Sequence, residues 1–341
     1  MTLESYGFDE FFARQIPEAI PFLPARVTAM HKGRYELMGE GGEAQATLKS
    51  GVFHQDAKQK TYPTVGDFVL MEPHPGLSMI CDVLARKSVF LRWDSFVARG
   101  HQALAANVDV AFVVMSLNKD FNLNRLERYL TTVWQSGATP IIVLNKLDLA
   151  QDPEKRVLEA QRSAPGVDVR CVSAQTGEGL DELKSCLSPR QTAVLLGSSG
   201  VGKSSLVNAL VGNATMATSV IRASDDKGRH TTTHRQLIFL ASGAMVIDTP
   251  GIRELGLWRA EEGLISAFTD VDHLARGCRF ANCRHENEPG CAVREALEMG
   301  QLEEAHYKNY LKLKRESAFA VKKEKMLEKK RIHKTNKKKT F

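Results

Sequence analysis

The chain has 341 residues, of which 43% are hydrophobic and 25% charged, so its composition is globular and its length leaves room for two or three domains. Its longest apolar run, residues 108–117, is shorter than the roughly 18 residues that a membrane-spanning helix needs. The start of the chain lacks the basic leader and apolar stretch of a secretory signal. We therefore expect a cytoplasmic protein with no membrane partner, and its net charge of +6 suits an acidic partner.

Short stretches of alternating character, such as residues 68–71 and 79–84, fill the region from about residue 26 to 93. Turn signals separate them, among them the Pro-His-Pro-Gly segment at residues 73–76. The pattern predicts a small antiparallel all-β barrel of about five strands, whose size fits an OB-fold. OB-folds are a common platform for RNA, and the composition of this region permits RNA binding without requiring it.

After the barrel the pattern changes to buried strands that alternate with helices. Residues 108–115, apolar except for Asp109, and the apolar residues 140–144 are typical of buried parallel strands, and residues 123–135 between them are amphipathic and predict a helix. Two further strands are predicted at residues 169–172 and 193–196. These elements predict an α/β domain with a parallel sheet, in which ligands bind beyond the carboxyl ends of the strands.

A glycine-rich loop with the sequence Gly-Ser-Ser-Gly-Val-Gly-Lys-Ser follows the last of these strands at residues 197–204. Its glycines let the main chain wrap closely around phosphate groups, and the helix that begins at Lys203 adds its positive N-terminal end. We expect Lys203 to reach the β- and γ-phosphates and Ser204 to offer its hydroxyl to Mg²⁺. The predicted phosphate site consists of Gly197, Ser198, Ser199, Gly200, Val201, Gly202, Lys203, Ser204 and Ser205.

A second motif, Asn-Lys-Leu-Asp, directly follows the strand at residues 140–144. The Asp148 carboxylate can accept two hydrogen bonds from the ring N–H and the amino group of guanine, whereas adenine offers no such pair of donors. We expect the Lys146 stem to lie along the base and ribose, Asn145 to brace the neighbouring loop, and the Ala174 N–H to reach the guanine carbonyl. The predicted base site consists of Asn145, Lys146, Leu147, Asp148, Ser173 and Ala174.

The Asp-Thr-Pro-Gly segment at residues 248–251 supplies the remaining magnesium functions. Asp248 can hold Mg²⁺ through water, and the Gly251 N–H can sense the γ-phosphate. Between this segment and the phosphate loop, the polar residues 228–233 have the character of a switch. Thr232 is the threonine that we expect to complete the Mg²⁺ shell when the γ-phosphate is present.

The residue after Gly251 is Ile252, although many GTPases place a water-orienting glutamine there. An apolar side chain cannot position water, so we expect slow intrinsic turnover that a partner accelerates. His230 is a candidate to orient the water in its place. The alternative for His230 is a switch-loop histidine that contacts the partner or solvent.

Three of the six cysteines form a cluster with a histidine, in the pattern C-x4-C-x-H-x5-C. Thiolates and a neutral imidazole suit tetrahedral zinc, and four protein ligands leave no position for a catalytic water, so the expected metal site is structural. A loop with coincidental cysteines is the alternative. The predicted ligands are Cys278, Cys283, His285 and Cys291. The isolated Cys81, Cys171 and Cys186 are expected to be buried, small and apolar.

The C-terminal segment is strongly basic, with 13 Lys and Arg against 3 Glu in residues 312–341. Helical spacing before and within it predicts helices at residues 293–299 and at about 302–321. Such a segment is either a solvated arm or a grip on nucleic acid, and its concentration at one end favours nucleic acid. A membrane-surface role fits less well, because the segment has no wide apolar face.

The base motif lies upstream of the phosphate loop, the reverse of the usual order. In this order the motifs resemble the circularly permuted GTPases. The N-terminal barrel and the cysteine–histidine site narrow the resemblance to the RsgA, or YjeQ, family, over nearly the whole chain. The resemblance implies a bacterial GTPase that binds GTP and GDP, associates with the immature small ribosomal subunit through rRNA, hydrolyses GTP there and departs. It also implies an OB-fold for the barrel and zinc as the metal.

We therefore predict an α/β P-loop GTPase domain, circularly permuted, preceded by an all-β OB-fold and followed by a small helical zinc-binding domain. The expected parts are residues 1–97, 98–262 and 263–341, in a monomer. Two other classes stay open. A non-hydrolysing RNA-binding scaffold is disfavoured by the intact Lys203, Ser204 and Asp248, and a P-loop kinase or ATPase is disfavoured by Asp148.

Overall fold

The computed structural model describes residues 2–18, 20–31, 33–55, 61–93, 101–118, 120–212, 235–248, 257 and 260–339. Within these ranges, no helix combines the length and the apolar character needed to cross a membrane.

The N-terminal part of the chain is a closed β-barrel. Its elements are a 3₁₀ turn at Leu3–Tyr6, α1 at Glu10–Ala13, β1 at Leu23–His31, β2 at Arg34–Gly39, β3 at Gly42–Leu48, α2 at Ser50–Gln55, β4 at Phe68–Glu72 and β5 at Ser78–Val83. The strands pair in the order β1-β2-β3-β5-β4, and β4 pairs back with β1, which closes the barrel. All pairs are antiparallel except β3 with β5. The predicted OB-like barrel is confirmed, and Val27, Leu37 and Phe53 lie in its core.

The middle of the chain supplies an α/β layer. Its elements are β6 at Val89–Trp93, β7 at His101–Ala106, β8 at Val110–Ser116, α3 at Leu123–Ser136, β9 at Thr139–Asn145, a 3₁₀ turn at Leu147–Leu149, α4 at Pro153–Ser163, β10 at Asp168–Val172, α5 at Leu180–Ser185, β11 at Thr192–Leu196, α6 at Lys203–Val211, β12 at Arg235–Phe239 and β13 at Met245–Asp248. Strands β6 and β7 form a separate two-stranded pair.

The central strands lie in the order β10-β9-β8-β11-β13-β12, and all are parallel except β12. All seven residues of β8 are buried, as its continuous apolar run predicts for a strand covered on both faces. Because the parallel strands end at the same edge, the loops that follow β8, β9, β10 and β11 meet there, beside the end of β13. The parallel α/β sheet predicted from the sequence is confirmed.

The barrel and the α/β layer are joined through β1, which pairs with β12 at Ala29 and Met30, so that one sheet of eleven strands runs through both. Arg26 of β1 is fully buried at this joint. Its guanidinium donates to the carbonyl oxygens of Gly66 and Asn107 and to the Thr192 hydroxyl at 2.9 Å. Burial lowers its pKa to about 10, although Asp109 and Asp67 act in the opposite direction, so it keeps its charge at neutral pH. The sequence pattern did not reveal this joint.

Helices complete the chain: α7 at Glu261–Ala267, α8 at Thr269–Arg276, α9 at Ala292–Glu298 and α10 at Glu304–Lys339. Helix α7 packs closely against α3, because Gly263 has no side chain to separate them. A Cβ at Gly263 would lie 2.2 Å from the Thr131 carbonyl oxygen. Helix α10 extends well beyond the predicted end at residue 321 and is about 54 Å long at about 1.5 Å per residue. Its C-terminal half lacks glycine and proline, which explains the extension.

The boundary that the sequence suggests between residues 97 and 98 lies outside the described residues, and the one between 262 and 263 lies within α7. The division into three parts therefore stays a proposal.

Candidate functional site

The phosphate loop connects β11 to α6 at the edge where the parallel strands end. Gly202 has φ of +93°, and a Cβ there would lie 2.4 Å from the Asn145 amide nitrogen, so this position requires glycine. The Val201 side chain is buried in the core beneath the loop. Lys203 folds back along the loop and donates from Nζ to the carbonyl oxygens of Gly197 at 2.7 Å and Ser198 at 2.6 Å. Ser204 and Ser205 are exposed at the start of α6.

Asn145, the last residue of β9, connects the phosphate loop to the loop that follows β10. It is buried, and its amide nitrogen donates to the Val201 carbonyl oxygen at 2.9 Å. Its amide oxygen accepts the Ala174 N–H at 3.2 Å. We expected that N–H to face the guanine carbonyl, and in the structure it is engaged with Asn145 instead. One side chain thus fixes two loops whose residues lie far apart in the sequence.

The residues after Asn145 contact the phosphate loop and the loop that follows β10. Lys146 has φ of +66°, and its Nζ donates to the Gly200 carbonyl oxygen at 2.7 Å, so its stem spans the space between the two motifs. The Ser173 hydroxyl donates to Asp148 Oδ1 at 2.5 Å. This bond orients the carboxylate, which is exposed to solvent. Leu147 packs against the main core and supports the turn from below.

Asp248 ends β13, the strand beside β11, and therefore lies next to the phosphate loop. Surrounding protein atoms raise the pKa of the Asp248 carboxyl, and the charge of Lys203 acts in the opposite direction. The Asp248 carboxylate and the Ser204 hydroxyl are oxygen donors on adjacent segments, a donor set that suits Mg²⁺. These two residues are therefore suited to bind the Mg²⁺ ion that accompanies a nucleoside triphosphate.

Three of the predicted site residues lie outside the described residues: His230, Thr232 and Gly251. Ile252, which follows Gly251 in the sequence, also lies outside the described residues.

A cluster on α3 also contacts the phosphate loop, and the motifs did not reveal it. The Arg125 guanidinium donates to the Ser198 hydroxyl at 2.5 Å and to both Asp120 oxygens at 3.0 Å. Burial raises the pKa of Tyr129, which lies one turn further along α3. The chain topology is the feature that could have predicted this contact. A helix that follows the strand beside the phosphate-loop strand begins next to that loop.

The four cysteine and histidine ligands meet in one cluster, the cysteine–histidine cluster, with their ligand atoms within 4.8 Å of one another. His285 Nδ1 lies 3.5 Å from Cys278 Sγ and 3.4 Å from Cys291 Sγ, and these two sulfurs are 3.9 Å apart. Tetrahedral zinc holds neighbouring sulfur and nitrogen ligands about 3.5–3.8 Å apart. The spacing and donor set therefore fit one zinc ion bound through Nδ1 of the histidine.

Local backbone geometry prepares this cluster. His285 has φ of +63°, an uncommon conformation for a residue with a side chain, and it turns the imidazole towards the sulfurs. Burial raises the pKa of the Cys278 thiol, but backbone N–H groups of Val293 and Ala292 at the start of α9 lower it overall. Burial and the neighbouring sulfurs raise the pKa of Cys283 to about 11. A divalent cation would offset the repulsion among three thiolates.

Comparison with known proteins gives a consistent result over nearly the whole chain. Residues 83–258 match a family described as RsgA GTPase. The chain is 48% identical over 323 residues to the small ribosomal subunit biogenesis GTPase RsgA 2 of Listeria monocytogenes serotype 4b (strain F2365), covering 95% of this chain and 91% of that protein. It is 43% identical over 334 residues to the small ribosomal subunit biogenesis GTPase RsgA of Opitutus terrae, covering 94% and 91%.

Solved structures give the same result. YjeQ from Thermotoga maritima superposes with a TM-score of 0.64 at 29% identity, covering 86% of this chain and 97% of that chain. YloQ, described as a circularly permuted GTPase, superposes with a TM-score of 0.62 at 27% identity, covering 85% and 93%. The permuted order matches the path of the chain here, in which β9 and its base motif precede β11 and the phosphate loop.

Proposed function

This chain belongs to the RsgA GTPase family, and from that premise we propose that it binds the small ribosomal subunit through rRNA, hydrolyses GTP there and acts late in the maturation of that subunit. It has the fold of the circularly permuted GTPases and is a GTP hydrolase of small-subunit biogenesis.

One observation carries the assignment of guanine: Asn145 fixes the base loop and the phosphate loop to each other. Asp148 is oriented by Ser173 at one end of the pocket, and the glycine-rich loop lies at the other. We propose that Asp148 accepts the two guanine N–H groups while Lys146 covers the base and ribose. A site built for those hydrogen bonds rejects adenine nucleotides, because the carboxylate would be left without donors.

Hydrolysis requires stabilisation of charge on the γ-phosphate and a positioned water molecule. We propose that Lys203 leaves its loop carbonyls to contact the β- and γ-phosphates, and that Ser204, Asp248 and Thr232 hold Mg²⁺. When bound, the ion neutralises charge that develops between the two phosphates. His230 is our candidate to orient water, with the Gly251 N–H facing the γ-phosphate. The small subunit is proposed to order these residues and so to accelerate turnover.

The proposed RNA contacts involve both ends of the chain. The barrel offers an OB-type surface, and the terminal helix carries seven Lys and Arg after Leu327. A grip on RNA phosphates by these cations predicts affinity that falls steeply with salt concentration. The cysteine–histidine cluster is proposed to hold one structural zinc ion that fixes the loop between α8 and α9. We propose that the protein acts as a monomer in the cytoplasm, where ribosomal subunits are assembled.

Nucleotide competition tests the guanine assignment. Unlabelled GDP should displace a fluorescent GDP analogue, whereas ADP should fail to do so even at a large excess. Equal displacement by the two nucleotides would refute a guanine site.

Phosphate release over many turnovers tests the rest of the proposal. Turnover should be slow for the protein alone and faster with purified small subunits, and large subunits are the matched control. A His230→Ala variant should lose the stimulation if His230 orients the water. Turnover that small subunits leave unchanged would refute the proposed activation.

Truncation tests the RNA grip of the terminal helix. Leu313 and Ser317 of α10 are buried against the body of the protein, so the truncation belongs after Leu327. The shortened protein should bind small subunits more weakly and with a shallower salt dependence. Unchanged affinity and salt dependence would exclude this segment from binding.

A further inference from the structure

Several hydrogen bonds hold the phosphate-loop residue Ser198 in place. Arg125 Nη1 donates to its hydroxyl at 2.5 Å, and an Asp120 carboxylate oxygen lies 3.5 Å away from that hydroxyl. The Ser198 carbonyl oxygen accepts from Lys203 Nζ at 2.6 Å. Both ends of this residue are therefore anchored. We call Asp120, Arg125 and Ser198 the loop anchor.

The position of Ser198 explains why an anchor there matters. It lies at the first turn of the loop, between the end of β11 and the residues whose N–H groups we propose to contact phosphate. Displacement of this turn would carry the following N–H groups away from their common centre. Loops that bind tightly are those whose binding geometry exists before the ligand arrives.

The anchor itself is built on a fixed element. Arg125 lies in the first turn of α3, and its backbone N–H is capped by the Asn122 side chain at 2.9 Å. Asp120 binds the guanidinium with both oxygens and so balances its charge. Since that charge is already paired, Arg125 acts on the loop through the geometry of its hydrogen bond to Ser198.

We propose that Arg125 is a positioning residue of the nucleotide site, which holds the phosphate loop in its binding conformation through the Ser198 hydroxyl. The proposal rests on the proposed function and identifies a residue that the sequence motifs do not contain. It places the effect on the phosphates of the nucleotide and leaves recognition of the base unchanged. Asp120 orients the guanidinium.

The test compares Arg125→Ala, Ser198→Ala and the double variant, with Arg294→Ala as control. Arg294 is likewise paired with a carboxylate, that of Glu298 at 3.3 Å, but it lies on α9 and is not part of the loop anchor. Release of a fluorescent GDP analogue should be about tenfold faster in Arg125→Ala, the effect of one lost hydrogen bond to a charged group. The double variant should be no worse than either single variant, because both remove the same contact.

Two further measurements separate positioning from general damage. Guanosine, which has no phosphate, should bind all variants and the wild type with equal affinity. Arg125→Lys should recover part of the lost GDP affinity, since it keeps one donor. If Arg125→Ala fails to fold, judged by circular dichroism, Ser198→Ala carries the test, because it removes a single hydroxyl.

Several outcomes would overturn the proposal: unchanged GDP release in Arg125→Ala, additive losses in the double variant, or a fall in turnover at unchanged affinity, which would point to direct contact with the reacting phosphate. The proposed function fails differently. It fails if the wild type itself does not prefer GDP to ADP, whatever the variants do. Wild-type preference for GDP together with unchanged variants would refute the positioning role alone.

Discussion

The nucleotide pocket and the cysteine–histidine cluster both bring polar side chains together, but by different means. In the cluster, all four ligands come from one loop of 14 residues, and their atoms meet within 4.8 Å. In the pocket, Asp148, Ser173 and the phosphate loop come from three separate segments, and only the strand order of the sheet brings them together. A cluster of local ligands depends on an ion, whereas a pocket of distant segments depends on the fold.

These two modes of assembly predict which perturbation each region should resist. Loss of a metal should affect the loop between α8 and α9 and leave a pocket held by the sheet intact. Loss of one pocket side chain should affect the nucleotide and leave the cluster intact. Helix α3 borders the pocket through Arg125, and its Glu127 and Arg128 bind residues of the C-terminal helix α10. The four predictions below test this separation and then the contact.

The largest effect should come from removal of the metal. Cys283→Ser, or a chelator, should unfold the loop between α8 and α9, because binding of structural zinc is worth on the order of 10 kcal/mol. Hydrogen exchange in residues 269–298 should rise sharply while release of GDP changes little. Cys186→Ser, which alters a cysteine outside the cluster, is the control. Loss of GDP binding together with the metal would break the comparison, because the pocket would then depend on the ion.

The next largest effect should come from the base site. Asp148→Ala removes a charged acceptor of two hydrogen bonds, each worth about 1.5–3 kcal/mol, so GDP affinity should fall roughly a thousandfold, or about 4 kcal/mol. Calorimetry measures the affinity, and metal analysis of the same sample should show an unchanged zinc content. Asp181→Ala, on an exposed face of α5, is the control. A loss of less than tenfold would mean that Asp148 does not read the base.

Local sequence patterns were sufficient for one region and insufficient for the other. The spacing of Cys278, Cys283, His285 and Cys291 predicts a cluster directly, since neighbours in a short loop must lie close together. The strands were also predictable, because buried parallel strands such as β8 are continuous apolar runs. Their order in the sheet does not follow from periodicity, which leaves the neighbours of each strand undetermined.

The contacts that the sequence did not reveal all join elements distant in the chain. Arg26 reaches Thr192, Arg125 reaches Ser198, and Glu127 reaches His306. Each of these side chains has an ordinary surface character by composition. Burial and partners are set by which elements pack together, and periodicity specifies which face of an element is buried without specifying its neighbour.

The third prediction concerns the buried contact of α3 with the C-terminal helices. His306 Nδ1 lies 2.7 Å from Glu127 and its Nε2 lies 3.2 Å from Asp270. The Phe268 ring packs against it, and Asn309 and Ser163 also bind Glu127. Burial lowers the pKa of His306, but hydrogen bonds and charge from Asp270 and Glu127 outweigh it and raise the pKa to about 9.

A raised folded-state pKa stabilises the protein fully below the unfolded value of about 6.5, and this stabilisation is lost as pH rises through about 9. The shift corresponds to up to about 3 kcal/mol. Urea unfolding should therefore show a large difference between wild type and His306→Gln at pH 6 and a small one above pH 9. The exposed His31→Gln is the control. A difference that does not change with pH would mean that His306 is uncharged in the folded protein.

The smallest effect should come from the second ion pair between the same helices, which differs from the first mainly in exposure. Both terminal nitrogens of the Arg128 guanidinium donate to the Glu316 carboxylate, but the two side chains are 29% and 37% exposed. Solvent screens such a pair, so Glu316→Gln should cost about 0.5 kcal/mol in urea unfolding, and less in high salt. Glu304→Gln, which breaks an exposed pair within α10, is the control. If Glu316→Gln destabilised the protein as much as His306→Gln, burial would not be what distinguishes the two contacts, and α3 and α10 would be joined mainly at their exposed edge.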